Sequence, residues 1–107
     1  MADARASEVR IRTLDLDAEP WRRHLGAVVA ILCAADRPRA LAALLERRPQ
    51  VLGEPDIAPR LARSILTGEL APDRALRTRI FDALDAAEVG RRCGAAVRRL
   101  LERARIP

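Results

Sequence analysis

Four prolines divide most of this chain into near-equal lengths: Pro20, Pro38, Pro55 and Pro72 stand 18, 17 and 17 residues apart. Proline has no amide donor and a fixed φ, so it starts or stops a helix rather than sitting inside one. The spacing predicts two helical hairpins of about 35 residues, Pro20–Glu54 and Pro55–Val89, followed by a final helix. A period near 34 residues is that of stacked helical-hairpin repeats, with the end helix as a cap.

The apolar residues between the prolines follow helical spacing. Trp21, Leu25, Val28, Val29 and Leu32 make one buried face, and Leu41, Leu44 and Leu45 make a second, stopped by Pro49. A third helix runs from an N-cap at Asp56 through Ile57, Leu61 and Ile65 to Gly68. A fourth carries Leu76, Ile80, Ala83, Leu84 and Ala87. The fifth carries Val89, Cys93, Val97, Leu100, Leu101 and Ala104, running on from the fourth with a kink near Gly90. The expected fold is all-α, with four to five helices as stacked antiparallel hairpins in a small bundle or repeat-like array. Trp21, Leu25, Val28, Leu41, Leu44, Leu61, Ile65, Ile80, Leu84, Val97 and Leu100 should lie inside.

Residues 1–17 read differently and form a flexible or extended segment ahead of a helical domain at 18–107. Residues 1–8 show no pattern. Val9, Ile11, Leu14 and Leu16 alternate, which suits a short strand. Such a strand has no mate within the chain and would need a second copy to supply one.

A single domain of 107 residues must build its core from modest material, since 21 residues are alanine and only Trp21 and Phe81 are aromatic. A thin core is often completed by a partner or by another copy, so self-association is expected.

The net charge is +5 and every basic residue is arginine. Alanine and arginine are both favoured by a GC-rich genome, which weakens the arginine count as a sign of an anionic partner. The charge is uneven. Residues 1–36 carry five arginines against six acids, and residues 37–107 carry fifteen against nine.

The densest arginine stretch is RRCGAAVRRLLERAR at 91–105. Treated as one continuous helix, it spreads its arginines over the whole solvent half, with Glu102 and Glu88 in the middle of that half. Glu88 stands at pairing distance from Arg92, and Glu102 from Arg98, Arg99 and Arg105. A helix gripping a phosphate backbone gains from uninterrupted positive charge. No aromatic, Asn or Gln is presented for stacking or base-edge contacts. A solvated amphipathic helix therefore outranks an anion-binding surface, with a helix docking on an acidic partner as the third alternative.

Catalytic and metal chemistry have little to stand on. His24 is the only histidine, which excludes metal sites built on histidine pairs, and Cys33 and Cys93 are the only cysteines, too few to make a structural zinc site alone. Both thiols sit on apolar helix faces and are expected to be buried and reduced. Ser7 and Ser64 lie in no nucleophile motif, and there is no glycine-rich phosphate loop. Asp82 and Asp85 are expected to pair with Arg79 and nearby cations rather than perform acid–base work. No enzyme activity and no cofactor are expected. The start, MADARASEVR, lacks the apolar core of a signal peptide, and the longest run without a polar side chain, Leu25–Ala35, is too short to span a membrane. A cytoplasmic, non-membrane protein is the expectation.

Two resemblances accompany this reading. LCAADRPRALAALLERRPQVL (32–52), with RRC at 91–93, resembles a helical segment of actinobacterial tetratricopeptide-rich and CHAT-domain proteins. The likeness implies a protein-binding helical scaffold. It covers about 60 residues but not the tetratricopeptide signature, since three residues separate Trp21 from Leu25-Gly26. RLARSILTGELAPDRALRTRIFDAL (60–84) is similar to the back half of a phage-repressor-like helix-turn-helix, with Gly68, Glu69 and Pro72 in its turn. That likeness implies DNA contacts from Arg60, Arg63 and Ser64, with Arg74 beside them.

The resulting expectation is a small non-enzymatic interaction module, an adaptor or scaffold, binding a protein partner or its own copy as a homo-oligomer. A DNA-binding regulator or antitoxin using Arg60, Arg63, Ser64 and Arg74 is the alternative. Pro49, Gly53 and Pro55 between Leu45 and Ile57, and the Glu-interrupted arginine faces, count against DNA.

Overall fold

The structure is a computed structural model describing residues 19–106, with side-chain surroundings from His24 onward. The expected strand at 9–17 and the burial of Trp21 lie outside the described residues.

Among the described residues the fold is all-α: α1 (Glu19–Ala34), α2 (Pro38–Arg47), α3 (Ile57–Thr67), α4 (Arg74–Ala86), the single turn α5 (Val89–Arg92) and α6 (Ala95–Arg105). A 3₁₀ turn, Pro49–Gly53, joins α2 to α3. Pro20 and Pro38 fall in the first turns of α1 and α2, while Pro55 and Pro72 stand two residues ahead of α3 and α4. Pro49 stops α2, as its missing amide requires.

The ends of α3 and α4 show which polar residues cap. Gly68 closes α3 at φ 84°, a left-handed conformation that costs glycine least. There the Gly68 amide donates to the Ile65 carbonyl and the Leu70 amide to that of Ser64, at 3.2 and 3.0 Å. Asp56 was the expected N-cap of α3, but its side chain makes no capping bond because its own backbone is already helical (φ −87°, ψ −13°). The working cap is Asp73 of α4, an extended residue whose Oδ1 accepts from the Leu76 amide at 2.8 Å.

α1 and α2 pack on each other, while α3 and α4 meet chiefly other helices rather than one another. α2 packs against α1 and α4, and α3 packs against α1 and most extensively against α6. Lying between two helices, α2 buries six consecutive residues, Ala40–Leu45, rather than one stripe. Its alanines admit close neighbours, as Ala62 and Ala104 do on α3 and α6. Gly26 serves the same end on α1, where a Cβ would run into the Glu54 carboxylate. The turn after α1 is held by Asp36, at φ 54°, whose Oδ1 accepts from the distant Ala71 amide at 2.9 Å.

The expected core residues Leu25, Leu41, Leu44, Leu61, Ile65, Ile80 and Leu84 are buried. Val28, Val97 and Leu100 are only partly buried. On α6 the covered residues are Leu101 and Ala104. Val51, Leu52 and Leu70 join the core from non-α-helical segments.

The last arginine-rich stretch is not one helix. Glu88 turns left-handed (φ 56°) to enter α5, and Cys93 and Gly94 are both extended (ψ 161° and 168°) before α6 begins. Arg91 and Arg92 therefore do not share a helix face with Arg98–Arg105. The break corrects the helical wheel drawn on a continuous 91–105 helix.

Candidate interaction surface

A guanidinium group carries five donors, and a helix end carries carbonyls without partners, so the two meet readily. Five arginines here answer helix ends. Arg37 Nη1 reaches the Ala35 carbonyl beyond α1 at 3.2 Å, and Arg48 Nη1 reaches that of Arg47 ending α2 at 3.0 Å. Arg92 Nη2 reaches the Ala87 carbonyl at the end of α4 at 2.6 Å. Arg98 Nε donates to the Gly90 carbonyl of α5 at 2.9 Å, and Arg77 Nη1 to that of Ala104 near the end of α6 at 2.6 Å. Positive charge at these ends also complements the helix dipole.

Three more arginines pair with acids. Arg79 grips Glu46 through two bonds of 3.0 and 2.6 Å, joining α4 to α2. Arg105 grips Asp85 in the same bidentate way and lies 4.9 Å from the Phe81 ring centroid. The hydrogen bond from Arg105 holds the Asp85 carboxyl below its ordinary pKa. Glu88 pairs with Arg91 at 3.3 Å rather than with Arg92. Glu102 makes no ion pair among the described residues, and Arg79 goes to Glu46 instead of Asp82 or Asp85. The stretch at 91–105 thus contributes much of its charge to holding the molecule together.

The four residues tied to the helix-turn-helix likeness separate into two places. Arg60, Arg63 and Ser64 line an open cleft of about 440 Å³ along α3, together with Asp56, Thr67 and Glu69. Arg74 lines a different one with Arg77, Thr78 and Arg105. Ser64 is not presented outward. It is 5% exposed, and its hydroxyl donates to Glu69 Oε1 at 3.0 Å. Behind it lies Cys33, wholly buried, whose thiol pKa is raised by that burial, with the neighbouring Ser64 hydroxyl acting against it. Cys33 and Cys93 are both free thiols, the second only half-buried at the α5–α6 break.

No family model, curated protein or solved structure matches the chain.

The cleft is legible in spacing. Asp56, Arg60, Arg63 and Thr67 recur at i, i+4, i+7 and i+11, the stripe of one helix face. A second outward stripe is apolar: Ala27, Ile31 and Ala34 on α1 are all exposed, Ile31 by 64%. Among the described residues no group of His, Cys, Asp or Glu is arranged to hold a metal ion. No described helix is long and apolar enough to cross a membrane.

Proposed function

We propose that this chain is a small helical interaction module without catalytic activity, binding a protein partner or its own copy in the cytoplasm. The carrying observation is the outward stripe of α1, where Ile31 stands 64% exposed between exposed Ala27 and Ala34. An uncharged helical stripe is suited to burial against another protein. The arginine bonding adds support, because guanidinium groups held on helix carbonyls and carboxylates serve the fold before any phosphate. The likeness to segments of tetratricopeptide-rich and CHAT-domain proteins belongs to the same proposal.

DNA binding is the second reading. It draws on Arg60 and Arg74, which are exposed and whose guanidinium groups make no hydrogen bond or ion pair among the described residues.

One experiment tests both. Light scattering after size exclusion, at about 150 mM salt, is expected to give a mass of a dimer or more, reduced by Ile31→Arg. On the same sample a random duplex and a pool of genomic fragments are expected to bind weakly, with no enriched sequence and a steep fall with salt. A palindromic site held at roughly 10⁻⁸ M or better in that salt, and lost in Arg60→Ala/Arg63→Ala, would overturn the module in favour of a DNA regulator.

A further inference from the structure

We infer that the cleft on α3 is a docking site for a short acidic segment of a partner protein, whose carboxylates are taken by Arg60 and Arg63. The inference rests on the interaction-module reading and names the chemistry of one partner surface, separate from the α1 stripe.

Hydrogen-bond accounting across the cleft carries the argument. The Ser64 hydroxyl goes to Glu69, and the Thr67 hydroxyl donates to the Ser64 carbonyl at 3.3 Å. The cleft's neutral polar side chains are thus satisfied from within. Arg63 donates Nε to the Pro59 carbonyl at 3.2 Å, and its two terminal nitrogens make no bond among the described residues. The Arg60 guanidinium makes none at all there, although Asp56 stands four residues away at ion-pair spacing. Two guanidinium groups one helical turn apart are the uncommitted donors of the cleft. Such a fork takes a carboxylate or a phosphate bidentately, and the acids beside it decide between the two.

Asp56 and Glu69 line the same cleft as the two arginines, so its charge is mixed rather than uniformly positive. A nucleic-acid backbone carries its charge onward without interruption and would meet both acids. A peptide can place one or two carboxylates on the arginines and then turn neutral. Leu66, on the same helix and 38% exposed, offers apolar contact to a residue flanking those carboxylates.

The test is a titration of the full ¹⁵N-labelled chain at about 150 mM salt, where diffuse attraction is screened. The probe is an end-capped nonapeptide, Gly-Ser-Glu-Leu-Glu-Glu-Leu-Ser-Gly, with its Glu→Gln counterpart and a 12-base-pair duplex alongside. The Glu peptide is expected to shift amides around Arg60, Arg63, Leu66 and Thr67, and the Gln peptide to shift none. Arg60→Gln/Arg63→Gln is expected to weaken binding at least about tenfold. Arg99→Gln/Arg103→Gln, which removes the same charge from exposed positions of α6, is expected to leave it within about twofold. Melting curves on both variants establish that each is folded.

No shift with the Glu peptide, equal loss in both variants, or shifts centred elsewhere would overturn the acidic-segment site. If the chain still assembles by light scattering, the module reading survives that failure. Tighter binding of the duplex than of the peptide, lost in Arg60→Gln/Arg63→Gln, would overturn the acidic-segment site and points to the DNA reading.

Discussion

The tetrapeptide Leu-Leu-Glu-Arg occurs twice, at 44–47 in α2 and at 100–103 in α6. In α2 both leucines are wholly buried and Glu46 receives the fork of Arg79. In α6 Leu100 is only partly buried, and Glu102 and Arg103 make no bond among the described residues. Identical local sequence gives a two-sided core helix in one place and a one-sided outer helix in the other. The difference lies in the neighbours: α2 is enclosed by α1 and α4, whereas α6 lays its main contact on α3 and is tied to α4 through Arg77 and Arg105.

The largest effect should come from putting a charge at equivalent places in the two copies. Leu44→Asp buries an unpaired carboxylate at a position with no exposure, and unfolding is expected, at a cost of about 4 kcal/mol or more. Ile80→Asp on α4 should do the same for the same reason. Leu100→Asp should leave a folded protein with a lowered melting temperature. Circular dichroism melts on the three variants check this. Equal unfolding by Leu100→Asp would mean that α6 is as enclosed as α2.

The same contrast marks how far the sequence could be read. Apolar spacing located the long helices, because a helix packed on one side leaves a 3.6-residue stripe. It understated α2, since Ala40, Ala42 and Ala43 look neutral in sequence and are buried only because helices flank both sides. That close alanine packing also lets the core close with few aromatics. Spacing was blind to the break at Cys93–Gly94, because Val89, Cys93, Val97, Leu101 and Ala104 continue in phase straight through it. It was silent on Leu70, buried in the turn after α3, where no period operates. Of the cleft, Arg60 and Arg63 were visible as exposed cations of α3, but the burial of Ser64 depends on Glu69 folding back from beyond Gly68. Whether a given arginine meets a carbonyl, a carboxylate or water is decided by tertiary neighbours, so residue type alone could not tell Arg77 from Arg103.

That pair gives the next effect in size. Arg77→Ala removes a partly buried charged donor from the Ala104 carbonyl and should cost about 1–2 kcal/mol. Arg103→Ala, on the outer side of the same α6, should stay within about 0.5 kcal/mol. Urea midpoints for both variants measure it. Equal costs would show that α6 is held by its own helical propensity and not by its tie to α4.

Helix starts repeat the lesson on a smaller scale. Asp73 and Asp56 each precede a helix, but only Asp73 has the extended backbone that lets its carboxylate accept an amide. Asp73→Ala should cost about 1 kcal/mol, and Asp56→Ala should cost no more than a few tenths. Chemical denaturation resolves the two, and a cost at Asp56 matching that at Asp73 would contradict the observed caps.

The smallest effect belongs to the ion pair that secures α6 to α4. Arg105 donates two hydrogen bonds to Asp85, which stabilise the charged carboxylate and lower its pKa in the folded state. A carboxyl with a depressed folded pKa binds its proton more readily when unfolded. The pair's contribution is therefore complete above the unfolded value near 4, and it is lost as pH falls through the lower folded value. Both side chains are about half exposed, at 49% and 56%, so solvent screening holds the contribution to about 1 kcal/mol or less. Asp85→Asn should lower the urea midpoint slightly at pH 7. The gap between variant and native protein should narrow as the pH falls below the unfolded value near 4, and added salt should narrow it at neutral pH. A gap that does not narrow on acidification would mean that Asp85 holds α6 by packing rather than by charge, placing the outer helix under the same kind of control as α2.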